Sequence, residues 1–286
     1  MSDDHLDDVT FDRLLERNDP FNGGTLCFDL TGYTFVAPAA MASLAALLSH
    51  LARDGRNARV LCPDPTVHGY LCRAGFFGVA ETIATIEPPM TPYARIYSAV
   101  RGGSNPLVLE LTTLQNGAAL PNRLDQIVSV LRHRFQYAKP DAFDAAIAIS
   151  EVCQNTFDHN SNACGFLAMQ VYGRGAKRFL QIGIADYGDG IATSLARNPA
   201  HRGLTDLDAI HRATDLGTSE HDDPTRGTGL HHLLDIAYRQ KGSVQIRSGT
   251  SKVRYRFDQQ KAWDLPARRV PGVHIALSLR ARQKGS

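Results

Sequence analysis

The feature that most constrains the fold is the run from Lys177 to Ile191, KRFLQIGIADYGDGI, an apolar strand that passes directly into an acidic, glycine-rich turn. Branched and apolar residues bounded by glycine read as strand. CGFLAMQVYGR, separated from it by GRGA, reads as the strand before it. A strand that feeds a polar glycine loop is a common place for a site, because the scaffold is rigid and the loop is free to vary.

The rest of the chain alternates strand and helix. Residues 1–20 read as a polar lead-in. TLCFDLTGYTFV follows, with strand composition and a glycine-centred interruption, as a strand pair or a bulged strand. In APAAMASLAALLSHLARDG, Met41, Leu44, Leu47, Leu48 and Leu51 fall at helical spacing, and Gly55 is the stop. NARVLCPD, VHGYLCRAGFFG and NPLVLELTTL read as strand, helix and strand, so residues 21–116 form a small α/β unit. RLDQIVSVLRHRFQYA, 123–138, is an amphipathic helix closed by Lys139-Pro140, with Asp141 capping the next helix. The polar stretch 191–226 includes one helix, LTDLDAIHRATD, and its length suits a lid. RGTGLHHLLDIAYRQKG is a helix opened by glycine, and SVQIRSG, KVRYRFD and VHIALSL finish the chain as strands.

The helix after Asp141 carries ISEVCQNTFDHN, in which Glu151 and Asn155 are four apart and Asp158 or His159 lies a turn further on. These groups project from one face, while Phe143, Ile147, Val152 and Cys153 can cover the core side. As an isolated pattern this is also that of an ordinary polar solvent face. Asp186 ends the strand LQIGIA and is followed by Gly188 and Gly190. A carboxylate there can accept from an exocyclic amine, and glycines let backbone approach a flat ring. Arg226-Gly227-Thr228-Gly229-Leu230 opens a helix, whose free N–H groups and dipole suit an anion such as a phosphate chain.

In this order and at these separations, the Glu-x-x-x-Asn helix, the strand ending in Asp-x-Gly-x-Gly, the long polar segment and the Gly-x-Gly helix start resemble the N box and two glycine boxes of the GHKL ATP-binding domain. Histidine kinases, gyrase, the ninety-kilodalton heat-shock chaperones and the MutL mismatch-repair proteins share that domain. The resemblance covers about residues 120–281, and ISEVCQNTFDHN looks most like the anti-sigma-factor serine kinase branch. It implies a two-layer α/β sandwich of the Bergerat type that binds ATP and Mg²⁺. Asn155 would hold the metal, an oxygen-ligand task that suits a hard cation, and His159 would lie with it at the nucleotide. Glu151 would be the general base for water or a protein hydroxyl. Asp186 would bind the adenine amino group in a pocket shaped by Gly188 and Gly190. Gly227, Thr228, Gly229 and Leu230 would wrap the phosphates as the lid closes, with Thr218 in the same lid.

The chain departs from the family pattern in three places. Asp158 stands where a basic residue is common, the last strand opens Gly272-Val273 in place of Gly-Thr, and no phospho-acceptor helix pair precedes the domain. His133 reads as a surface histidine, which disfavours a self-contained two-component sensor kinase. The N-terminal unit is similar to a degenerate STAS domain, the fold of anti-sigma-factor antagonists, although Val36 to Ala39 has no serine where antagonists are phosphorylated. Thr34 and Ser43 are the nearby hydroxyls. An unphosphorylated domain that senses or docks is expected, beside the plainer reading of a structural cap on the ATPase.

Composition bounds the rest. The hydrophobic share of 43% and the charged share of 21% suit a folded chain, and 286 residues suit two domains. The formal charge of +2 leaves a nucleic-acid partner unsupported apart from the basic end of the chain, of which 282–286 is a short tail. Five cysteines with no C-x-x-C spacing read as buried thiols. MSDDHLDDVT is too acidic for a signal peptide, and no apolar run reaches the roughly 20 residues of a membrane helix. The expectation is a cytosolic regulatory protein with a protein partner and no membrane association, with homodimer formation left open. It would either hydrolyse ATP or phosphorylate a Ser or Thr of its partner. The alternative is a non-catalytic module whose lid closure on nucleotide controls partner binding.

Overall fold

The computed structural model describes residues 4–21, 26–91, 108–115, 118–158, 164–215 and 228–282. His159, Thr218 and Gly227, three of the expected nucleotide contacts, lie outside the described residues.

The chain opens with β1 (His5–Leu6), α1 (Phe11–Asn18), β2 (Cys27–Asp29), β3 (Phe35–Val36), α2 (Pro38–Arg53), β4 (Ala58–Leu61), α3 (Pro65–Arg73), α4 (Phe76–Ala80) and β5 (Ala84–Glu87). It continues through β6 (Val108–Leu114), α5 (Leu120–His133), α6 (Lys139–Asp158), β7 (Gly165–Tyr172), β8 (Phe179–Asp186), α7 (Ile191–Leu195), α8 (Asp206–Thr214), α9 (Gly229–Arg239), β9 (Ser243–Arg256) and β10 (Lys261–Arg280). The fold is mixed α/β, as the sequence predicts. An antiparallel sheet of order β6-β7-β8-β10-β9 forms the centre, β2-β4-β5 form a smaller parallel sheet, and β1 pairs with β3.

Alternation along the central strands sets up two cores. In β8, Leu180, Ile182 and Ile184 face a core shared with Ile127, Leu131, Ile149, Val152, Cys153, Ile210 and Leu233 of the flanking helices. Ala185 faces the other way, into a core shared with α2 and the N-terminal strands. That second face carries small residues. Ala168, Gly183 and Ala276 are cross-strand partners and make a row across β7, β8 and β10. A Cβ on Gly183 would lie 2.4 Å from the Cα of Ala39 and 2.5 Å from the Pro38 carbonyl oxygen, so the start of α2 rests directly on β8.

Helix α2 forms readily because alanine and leucine dominate it, proline opens it and His50 and Arg53 stand in its last turn. It is buried nearly all round, with the large sheet on one side and β4 among its contacts on the other. Leu44, Leu47, Leu48 and Leu51 are each no more than 1% exposed, and each such burial contributes about 1.5 to 3 kcal/mol.

Six local expectations are corrected, the first being that SVQIRSG and KVRYRFD, read as two strands, form the single strand β9. The polar lead-in contains α1, an eight-residue helix that buries Phe11, Leu14 and Leu15 at i, i+3 and i+4. TLCFDLTGYTFV is split between two sheets, β2 joining β4 and β3 joining β1. NPLVLELTTL contributes β6, which belongs to the large sheet as the edge neighbour of β7 and not to the N-terminal unit. The helix read over 123–138 starts at Leu120 with Pro121 in its first turn and stops at His133. Gln136 then takes a left-handed φ of 58°, which brings Phe135 and Tyr137 into the core, and Pro140 sits inside the first turn of α6. Phe143 and Ile147 do not face the core: they are 45% and 54% exposed. Both stand at four-residue steps before Glu151 and Asn155, so one stripe of the helix carries all four, and Ala142, Ala145, Ala148 and Ile149 take the core side.

Past Gly272, pairing between β9 and β10 shifts register twice, and Ser251–Arg256 with Lys261–Pro266 continue as a two-stranded ribbon beyond the reach of β8. Helix α1 holds this ribbon from one side. Asp12 pairs with Arg247 and Lys252 and accepts the Arg268 amide at 2.7 Å, while Asp8 pairs with Arg254 at 2.7 Å. Helix α8 holds it from the other side. Asp206 accepts both the amide and the hydroxyl of Thr250 at 2.8 Å, and His211 lies 3.0 Å from Asp264.

Candidate functional site

Asp186 closes β8 and is 4% exposed. Its Oδ1 accepts the Gly188 amide at 2.8 Å, and its Oδ2 accepts the Val273 amide at 3.3 Å. Gly272 has φ +75°, and a Cβ there would stand 2.4 Å from Asp186 Oδ1, so only glycine lets β10 close over this carboxylate. The Gly272-Val273 pair therefore serves Asp186 through backbone, without the hydroxyl that threonine would bring.

The turn after Asp186 is held by a serine that the sequence reading did not single out. Ser248, 1% exposed on β9, accepts the Ile191 amide at 2.9 Å and donates to the Gly272 carbonyl at 3.3 Å. Gly190 has φ +78°, and a Cβ on it would lie 2.9 Å from Ser248 Oγ. Tyr187 turns away from this loop, is 8% exposed and joins the N-terminal core, where the Arg53 guanidinium lies 5.2 Å from its ring centroid. His274, the cross-strand partner of Ala185, is buried, and burial together with the Arg247 guanidinium pushes its imidazole down to about 3. It is neutral at ordinary pH, with Nε2 3.1 Å from the Pro271 carbonyl.

The polar stripe of α6 meets the start of α9. Thr228 Oγ1 lies 3.4 Å from Glu151 Oε2, and a Cβ on Gly229 would lie 3.0 Å from that of Glu151. Glu151 and the glycine that opens α9 are thus in direct contact. Asn155, one turn on, is exposed, and Leu230 packs half-buried against the helical core. His232 Nδ1 is 3.2 Å from Glu151 Oε2, and the sequence reading passed over it because a histidine inside an amphipathic helix has no signature of its own.

A chain of close contacts links the end of α6 to Asp186. A Cβ on Gly165, the first residue of β7, would stand 2.0 Å from Thr156 Oγ1, so helix and strand touch there. Thr156 is 3% exposed and donates to the Cys153 carbonyl at 2.7 Å. Gly165 is in turn the cross-strand partner of Asp186. Residue 155 and residue 186 therefore stand at the same end of the sheet, joined by one helix–strand contact and one strand pairing. The only sequence signal for this was a glycine at the head of an otherwise bulky strand.

Among the described residues no group of three or more His, Cys, Asp or Glu side chains could hold a metal ion alone. Mg²⁺ is commonly bound through one or two carboxylates together with substrate phosphate oxygens, and the oxygen donors that would be available to it on this stripe of α6 are the exposed Asn155 amide and the Glu151 carboxylate. The five cysteines are free thiols, and burial pushes Cys62 up to about 12. Among the described residues no helix is long and apolar enough to cross a membrane. Compared with protein-family models and with curated proteins, the chain matches neither.

Proposed function

We propose that the chain is an ATP·Mg²⁺-binding regulatory protein of the GHKL type, nearest the anti-sigma-factor serine kinases, in which residues 120–281 form a Bergerat-type nucleotide domain and the N-terminal unit is a STAS-like module. The observation that carries this reading is the convergence of three separated motifs. Gly229 and Thr228 stand against Glu151, and the contact of Thr156 with Gly165 brings the same helix to the strand pair of Asp186.

In this reading Asp186 recognises the adenine amino group, since a carboxylate only accepts and adenine presents a donor. Asn155 supplies a metal oxygen ligand. Glu151 takes the proton of the attacking hydroxyl, from water or from a Ser or Thr of a partner protein. Thr228 and Gly229 receive the phosphates at the positive end of the α9 dipole. The bound metal supplies charge neutralisation at the terminal phosphate.

Thermal denaturation with ATP, ADP and GTP, each with and without Mg²⁺, tests the reading. ATP·Mg²⁺ at a hundred times its dissociation constant or more should add about 2 to 4 kcal/mol, GTP little, and the gain should shrink without metal. No shift with any nucleotide rejects it. Glu151→Gln should keep the ATP shift and lose turnover of γ-labelled ATP. Equal turnover in both proteins removes the catalytic role of Glu151, and an ATP shift with no turnover in either leaves a nucleotide-gated binding module.

A further inference from the structure

Helix α9 carries adjacent histidines that do different things. His231 Nδ1 lies 3.1 Å from the Thr214 carbonyl and ties α9 to the end of α8. His232 crosses to the neighbouring helix, where its Nδ1 lies 3.2 Å from Glu151 Oε2. That same oxygen has the Thr228 hydroxyl at 3.4 Å. Among the described residues Glu151 Oε1 has no hydrogen-bond partner.

An ionised carboxylate can only accept. The contact therefore needs a proton on Nδ1, and it selects that tautomer whenever the ring is neutral. Two donors on one oxygen also fix the rotation of the carboxylate, which leaves Oε1 as the oxygen that can take a proton. One donor lies on α9 and the other is its N-cap, so the carboxylate is oriented by the same element whose first turn would face the phosphates.

We infer that His232 is the positioning residue for Glu151: its Nδ1–H holds Oε2 so that Oε1 is presented to the attacking hydroxyl. This rests on the ATP reading given above. In the step it serves, the hydroxyl oxygen bonds to the terminal phosphorus and its proton passes to Oε1. The bond from that phosphorus to the bridging oxygen breaks, and its electron pair leaves on ADP. His232 changes no bond in this step. Its work is to remove the freedom of Glu151 to swing into solvent, where Glu151 is one-third exposed, and misplacement of a reacting group by about 1 Å can cost on the order of a hundredfold in rate.

The test uses the full chain carrying His232→Ala, His232→Asn or His232→Gln. The amide nitrogen of asparagine can stand where Nδ1 stands, and that of glutamine reaches one bond further. His232→Ala is expected to lower kcat for ATP hydrolysis about ten- to a hundredfold with KM little changed. His232→Asn should recover most of the loss and His232→Gln should not. An alanine variant with unchanged kcat, or a loss that all three variants share together with weaker ATP binding, overturns the inference. Nitrogen NMR of His232 without nucleotide reads the pair independently. An Nδ1–H tautomer in the wild type that disappears in Glu151→Ala supports it, and an Nε2–H tautomer in both overturns it, whatever becomes of ATP binding.

Discussion

At the scale of single residues, the decisive positions are those where a side chain is missing. Gly165 gives Thr156 room to sit on β7, and Gly272 gives Asp186 room beneath β10. Gly165→Ala should cost about 1 to 3 kcal/mol through overpacking, read as a lower urea midpoint with unchanged slope. Adding Thr156→Ala, which removes Oγ1 and Cγ2 but leaves the Cβ that would stand 2.6 Å from the new methyl, should recover only part of that loss. The sequence marks Asp186, Glu151 and Asn155 as candidates because their chemistry is visible in their side chains and spacing. Thr156, Ser248 and His232 were not legible. Each acts through a partner some ten to eighty residues away, and nothing local in the chain records which partner that is.

At the scale of elements, strongly periodic segments were read well and short ones were not. The helix at 206–214 and the strands β7 and β8 follow directly from pattern and capping, as with Thr205, which accepts the Asp208 amide, whereas the part of β10 before Val273 carries no alternation that marks it as strand. Helix α1 escaped because eight residues in a polar neighbourhood carry little periodic signal, and its place is set by ions as much as by Phe11 and Leu14. Arg247 is 3% and Lys252 7% exposed. Both depend on Asp12, so Asp12→Ala should cost about 3 to 5 kcal/mol by leaving buried cations unpaired, measurable by chemical denaturation. Burial alone would raise the Asp12 carboxyl, but Arg247, Lys252 and the Arg268 amide outweigh it and hold it below its ordinary value. A carboxyl lowered in the folded state stabilises fully above its unfolded value and loses that contribution as pH falls through the lowered one. The penalty of Asp12→Ala should therefore be largest at neutral pH and shrink in strong acid.

At the scale of the whole molecule, the N-terminal unit and the central sheet share a core. Phe166, Ala168, Ala185, Tyr187 and Val270 of the C-terminal part pack with Met41, Leu44 and Phe77 of the N-terminal part. The chain order suggested a division near residue 116, since motif and composition change there. Burial crosses that line, because the face opposite the helices needs α2 to cover it. A fragment of residues 118–282 should expose this apolar face and associate or fail to fold, whereas the full chain stays dispersed under the same conditions. A monodisperse, cooperatively melting fragment in light scattering and calorimetry would count against that expectation. Such a fragment would also lose β6 and with it the outer neighbour of β7.

The row Ala168, Gly183 and Ala276 has a consequence for how this chain can vary. A seat formed by absent atoms has no rotamers with which to adapt, unlike a contact between two flexible side chains. A methyl group gained at 183 meets main chain at Pro38 and Ala39, so no exchange of side chain on the helix makes room for it. Changes at this junction must shift α2 bodily or not occur, and the join between the two halves behaves as a fixed dimension of the protein.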